Sequence, residues 1–162
     1  IIASGKNLGL QNKIMKDKVY LIKKIKPKLN KIILPIDLAI DVNNRRVNVK
    51  ISNFPSNYKV LDIGDDTIKL YAGEIKKAQA IYMKGPVGMY SKKPFAKGTI
   101  VLLKAISNSR AFSLIGGGQL NDAIDKYKIN KKRFGYISLS GGALLKYIAG
   151  EKLPGLVALG VK

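Results

Sequence analysis

From residue 80 to residue 150 the chain passes three times through one succession: a short apolar stretch, a glycine turn, then apolar residues at helical spacing. The first pass is "AIYMKGPVGMY", followed from Pro94 by Phe95, Thr99, Leu102, Leu103 and Ile106. The second is "AFSLIGGG", followed by Leu120, Ala123, Ile124 and Tyr127. The third is "YISLSGG", followed by Leu144, Leu145 and Ile148 and closing at Gly150, a natural left-handed helix end. Strands that alternate with helices need crossover connections, and these lay successive strands side by side in parallel. The pattern therefore predicts an α/β fold: a Rossmann-like, three-layer αβα domain with a mostly parallel sheet. In such a sheet the strand-to-helix turns gather at the carboxyl ends of the strands, where ligands bind.

Upstream the pattern is looser. Ile14, Tyr20 or Leu21, Ile22 and Ile25, set among lysines, predict a helix from about Lys13 to Ile25, ended by Pro27. "KIILPIDLAIDV" is apolar enough for a strand buried on both faces, with Pro35 marking a bulge or an edge. "RRVNVKISNFP" alternates Val47, Val49 and Ile51, as one arm of a hairpin would. Asp65 or Asp66 is placed to cap a helix carrying Ile68, Tyr71, Ile75 and Ala78. The tail "EKLPGLVALGVK" is expected to pack back over the domain. No linker-like segment divides the 162 residues, which predicts a single domain, 1–162. The opening Ile1-Ile2-Ala3, without Met, leads us to expect a piece of a longer chain.

Composition narrows the chemistry. The chain has no Cys and no His, which excludes disulfides, Cys/His metal sites and histidine-based triads. Ser140, in "SLSGG", precedes a helix but has no histidine to activate it, so it reads as a turn residue rather than a nucleophile. No apolar run approaches membrane-spanning length. Thirty Lys and Arg against ten acids give a net charge of +20. That charge raises a competing reading, a non-catalytic basic module that binds nucleic acid or other polyanions. Against it, the arginines that would read bases are only Arg45, Arg46, Arg110 and Arg133, and the lysines are spread along the chain. A solvated basic surface is the preferred reading, and a nucleic-acid partner is not expected.

Glycine turns offer anion binding instead. Glycine lets backbone N–H groups approach an anion closely, and the N-terminus of the following helix adds a favourable dipole. Three such turns in consecutive units point to phosphate. The chain has no G-x-x-x-x-G-K-[ST] motif, and "GGGQLN" lacks the G-x-G-x-x-G register of a dinucleotide site.

Taken together, "DIGDDTIKLYAGEIKKAQAIYMKGPVGMYSKKPFAKGTIVLLKAI", "AFSLIGGGQLNDAIDKY" and "YISLSGGALLKYIAGEKLPGLVAL" resemble the nucleotide-binding half of phosphoglycerate kinases, archaeal-type sequences in particular. Element order and spacing match from about Lys31 to Leu159. The resemblance implies phosphoryl transfer between 1,3-bisphosphoglycerate and Mg2+-bound ADP, giving 3-phosphoglycerate and ATP in glycolysis. It implies a cytoplasmic, monomeric kinase that meets its triose substrate through an N-terminal domain missing from this chain, as are the first βα units of the nucleotide domain. It puts Gly85, Pro86 and Gly88 beside the adenosine, with Lys84 and Ser91 flanking them. It puts Gly116, Gly117, Gly118, Gln119 and Leu120 at the nucleotide phosphates, Gln119 reaching the metal through water at best. Ser140, Gly141 and Gly142 then offer amides to the phosphoryl group in flight.

This chain departs from the family pattern at several of these positions. Lys84 stands for a usual Asn, Ser91 for a ribose-binding Glu, Gln119 for a metal-associated Asp and Leu120 for a Thr. Leu139 and Ser140 stand where Thr and Gly are common. Loss of two carboxylates predicts weak magnesium-nucleotide affinity, and the missing domain predicts no turnover by these 162 residues alone.

Overall fold

A computed structural model describes residues 1–160; the last two residues of the tail lie outside the described residues. The chain forms two compact units, Ile1–Tyr71 with Val87–Gly98, and Ala72–Pro86 with the residues from Thr99 onward.

The first unit holds an antiparallel sheet of order β2-β1-β3, built from β1 (Asp37–Val42), β2 (Arg45–Lys50) and β3 (Val60–Ile63). Asn43 and Asn44, both at positive φ (50° and 65°), make the two-residue turn from β1 to β2, with Val42 opposite Arg45. Asn tolerates that region better than other side chains, and the turn's twist matches the strands it joins. The hairpin expected at "RRVNVK" is therefore present. β1 is central, and Asp37 to Ile40 are buried on both faces as expected. Pro35 makes neither a bulge nor an edge: the strand starts two residues after it, and Ile32, Ile33 and Ile36 are exposed.

The expected helix over 13–25 is broken into α1 (Leu10–Ile14) and α2 (Val19–Ile25), with a 3-10 turn over Lys16–Lys18 between them. No side chain caps either helix start, so neither has local support, and Val19 and Tyr20 face out rather than extending an apolar stripe. Pro27 sits at the start of a second 3-10 stretch, Lys26–Lys31, where its missing N–H costs nothing.

The first turn of α3 (Asp65–Lys77) belongs to this unit, and its cap is not the expected one. Neither Asp65 nor Asp66 caps it. The amides of Asp66 and Thr67 donate to the carboxylate of Asp37 at 3.1 and 2.7 Å, a partner about thirty residues away in β1.

The second unit carries the parallel sheet that the glycine-turn units require. β4 (Ala80–Lys84), β5 (Phe112–Gly116) and β6 (Tyr136–Ser138) pair in parallel, with β5 in the middle. α4 (Lys97–Ser107), α5 (Gly118–Lys126) and α6 (Gly141–Ile148) follow these strands in turn. In α5, Leu120, Ala123 and Ile124 are fully buried, and burial of each larger aliphatic side chain contributes about 1.5–3 kcal/mol. α6 closes as expected: Gly150 has φ 77°, and Glu151 N–H donates to Lys146 O at 2.9 Å. The described part of the tail does not pack back. It forms α7 (Pro154–Ala158), in which no residue is buried, and Leu159 is 78% exposed. A five-residue helix has too short an apolar face to displace water from the unit behind it.

Candidate functional site

β5 ends in a turn that only glycine makes comfortably. Gly117 has φ 106° and ψ 147°, and its N–H donates to Ser138 O of β6 at 2.9 Å. That bond ties the start of α5 to the end of β6, from which α6 springs. The two helix starts then come into backbone contact. A methyl group built on Gly141 would lie 2.9 Å from Gly117 Cα and 3.0 Å from its N. Gly141 is therefore required by the packing of one turn on the other. Gly116 lies under the Tyr82 ring, whose hydroxyl a methyl there would meet at 3.0 Å.

Gly118 and Gly142 are different. Neither has a positive φ, and a methyl group on either would meet nothing within 4 Å. Each occupies a helical position where glycine is disfavoured relative to alanine, with no neighbour demanding it. What remains is open space over the first amides of α5 and α6.

Those amides are also electrostatically unspent. The first N–H groups of a helix have no intrahelical acceptor, and they carry the positive end of the dipole. No acidic residue lies in the first turn of α5 or α6, and no side chain caps either. The contrast with α3 and α4 is sharp. The start of α3 is filled by the Asp37 carboxylate, and Gly98 N–H in the first turn of α4 donates to Asp62 Oδ2 at 2.9 Å. The carboxylate positions are filled in one pair of helices and left open in the other. An anion with several acceptor oxygens fits the open pair.

The remaining expected residues fall as follows. Lys84 ends β4 directly opposite Gly116 in the sheet register, with its side chain exposed. Gly85 follows at φ 77°, with Pro86 next. Gly88 and Ser91 belong to the first unit, where a methyl on Gly88 would overlap the Asp62 carboxylate. Gln119 and Ser140 are exposed at their helix starts. Leu120 is wholly buried, so it presents only backbone, and its N–H is turned to Gly117 O at 3.2 Å. Among the described residues no group of three or more Asp, Glu, His or Cys is placed to hold a metal.

Residues that motif reading did not single out organise the first unit. Asp37 and Asp62 are 4% and 2% exposed, and each accepts backbone N–H bonds at a helix start. Arg46 donates to Asp65 Oδ1 and Ile63 O, both at 2.8 Å, and its Nη2 lies 3.7 Å from Asp62. Burial pushes the Asp62 carboxyl above the usual carboxylate range, against the opposing pull of its N–H donors and Arg46. At Asp65 burial also pushes upward, but the Lys97 hydrogen bond and the charges of Arg46 and Lys97 outweigh it and hold the group below that range.

Fold and site together define an α/β chain with paired glycine turns at the carboxyl edge of a parallel sheet. The phosphoglycerate kinase family model matches residues 1–151, and the chain belongs to that family. It is 41% identical over 151 residues to the phosphoglycerate kinase of Methanothermus fervidus, covering 93% of this chain and 36% of the relative. It is 37% identical to that of Buchnera aphidicola subsp. Schizaphis graminum, covering 94% and 41%. The crystal structure of phosphoglycerate kinase from Pyrococcus horikoshii OT3 superposes with a TM-score of 0.87 at 36% identity, over 99% of this chain and 42% of that one. The chain thus spans roughly two fifths of the length of these relatives.

Proposed function

We propose that this chain supplies the ADP/ATP-binding part of a phosphoglycerate kinase acting in glycolysis. The observation that carries the reading is the pair of uncapped, acid-free helix starts at Gly118 and Gly141, held in backbone contact through Gly117. In this reading the amides of Gly118 and Gln119 hold the nucleotide phosphates, and Lys84 adds a positive charge on the neighbouring strand. The amides of Gly141 and Gly142, with Ser140 at the helix cap, face the group in transfer. Gly85, Pro86, Gly88 and Ser91 are assigned to the adenosine by the family resemblance.

The reaction asks for positioning and charge stabilisation more than for a covalent nucleophile. The bond from phosphorus to the acyl oxygen of 1,3-bisphosphoglycerate breaks, and a bond to the terminal oxygen of ADP forms. 3-Phosphoglycerate leaves as a carboxylate, so no histidine is needed to move a proton. The triose substrate is bound by a part of the parent protein outside this chain. We take that protein to be a cytoplasmic monomer; no described helix is long and apolar enough to cross a membrane. Mg2+ is expected to arrive bound to the nucleotide. The described residues do not fit a protein-held magnesium, since Gln119 offers only a neutral amide to its water shell.

Isothermal titration tests the reading. Mg-ADP should bind saturably, Gly117→Val should abolish that binding, and duplex DNA should not compete at moderate salt. Salt-steep DNA binding that ignores Gly117→Val, with no ADP binding, would replace this reading by the polyanion one.

A further inference from the structure

Tyr82, in the middle of β4, carries a buried hydroxyl with no hydrogen-bond partner among the described residues. A buried hydroxyl without a partner costs more than its deletion, since phenylalanine would fill the same space without that penalty. An unpaired polar atom inside a folded chain therefore asks for an explanation.

The sheet sets where this hydroxyl lies. In the parallel pairing Tyr82 is opposite Leu114, and Lys84 is opposite Gly116. Alternate residues of a strand share a face, so these four positions lie on one side of the sheet. The Tyr82 ring leans along that side onto Gly116. A methyl group built on Gly116 would meet Tyr82 Oη at 3.0 Å, Cε2 at 3.2 Å and Cζ at 3.5 Å, its three nearest atoms. Gly116 has no positive φ, so room for the phenol end, rather than backbone strain, is what asks for glycine there.

The phenol end thus rests on the last residue of β5, one residue before the Gly117 turn, and in the same unit as the helix starts at Gly118 and Gly141. The ring is not clamped in place. Tyr82 and Leu114 are half-buried, and Phe112, on the same face, is 62% exposed. A small tilt of the ring turns the hydroxyl from the Gly116 backbone toward a group seated at the turn. A phenol O–H donates strongly to a charged oxygen, and Lys84, on the same strand and face, brings positive charge to the same edge.

We propose that Tyr82 is a ligand-contacting residue of the phosphate site, its hydroxyl donating to an anionic oxygen held at the Gly116–Gly118 turn. The proposal rests on the nucleotide reading above. It adds a side-chain donor to a site otherwise built from backbone amides and one lysine. The penalty of the unpaired hydroxyl in the free chain is offset when the anion binds.

The test compares the 162-residue chain with Tyr82→Phe by thermal melts and by titration with Mg-ADP and with pyrophosphate. Loss of the unpaired hydroxyl should raise the melting temperature by about 2–4 °C. Both ligands should weaken about tenfold, equivalent to about 1.4 kcal/mol. In wild-type protein carbon-labelled at tyrosine Cζ, the resonance that Tyr82→Phe lacks should shift with pyrophosphate and saturate with the dissociation constant of the calorimetric titration. Unchanged affinities in Tyr82→Phe, or a Cζ resonance that ignores pyrophosphate, overturn the contact and leave the nucleotide reading in place. A Tyr82→Phe protein that melts lower or does not fold shows that the hydroxyl already has a partner, which also overturns the proposal. Wild-type protein that binds neither Mg-ADP nor pyrophosphate overturns the nucleotide reading, and this proposal with it.

Discussion

The double substitution Gly118→Ala/Gly142→Ala should make the protein more stable and a poorer nucleotide binder. Both glycines have ordinary negative φ, and the added methyl would meet no atom within 4 Å at either site. Alanine therefore enters without strain and restricts the unfolded chain, which is worth about 0.4–1 kcal/mol per site. Taken as additive, the pair should gain about 1–2 kcal/mol, and at about 2–4 °C per kcal/mol for a chain of this size the melting temperature should rise by several degrees. Binding should move the other way. The methyl groups would occupy the space through which phosphate oxygens approach the first amides of α5 and α6. Hydrogen bonds to a charged group contribute about 1.5–3 kcal/mol each, so loss of one should weaken ADP by tenfold or more. Thermal melts by circular dichroism and calorimetric titration with Mg-ADP read the two effects on one sample. A rise in melting temperature with unchanged ADP affinity would refute the reasoning, because the glycines would then be open for no ligand's sake. A fall in melting temperature would refute the steric premise itself.

Other substitutions separate packing from binding. Gly141→Ala forces a methyl to 2.9 Å from Gly117 Cα, where carbon contacts want about 3.5–4 Å, and should cost about 1–3 kcal/mol in a denaturant titration. Asp37→Ala removes the acceptor of the Asp66 and Thr67 amides and strands buried donors; the expected loss is about 2–4 kcal/mol, read by the same titration, while Asp37→Asn should lose less. The carboxyl of Asp65 is held below its ordinary value of 3.8, so its stabilisation is present above that pH and is lost as the pH falls through the lower folded value. Acid titration of stability should show that loss in the wild type and a shallower one in Asp65→Asn.

Where local spacing decides structure, the sequence was readable. The three strand–turn–helix passes appear as β4, β5 and β6 with α4, α5 and α6, because buried faces such as Leu120, Ala123 and Ile124 impose a helical period that a one-dimensional reading detects. Gly117 and Gly141 were legible as special, although sequence alone could not say that one needs its φ while the other needs the closeness of a neighbouring backbone. The roles of Asp37 and Asp62 were not legible. Their partners lie about thirty residues or more away along the chain, at Thr67 and Gly98, and an aspartate inside an apolar strand carries no local mark of the helix it will cap. The break between α1 and α2 is not legible in the sequence for a related reason. A lysine-rich stretch with apolar residues at helical spacing looks continuous, but Val19 and Tyr20 have no surface to cover.

The central claim is that the starts of α5 and α6 hold the nucleotide's phosphates, and amide NMR tests it most directly. On titration with Mg-ADP, and again with pyrophosphate, the N–H resonances of Gly118, Gln119, Gly141 and Gly142 should shift together and saturate with one dissociation constant. If those four stay in place while other amides respond, or if no ligand saturates them, the helix starts do not hold the phosphates and the account is contradicted.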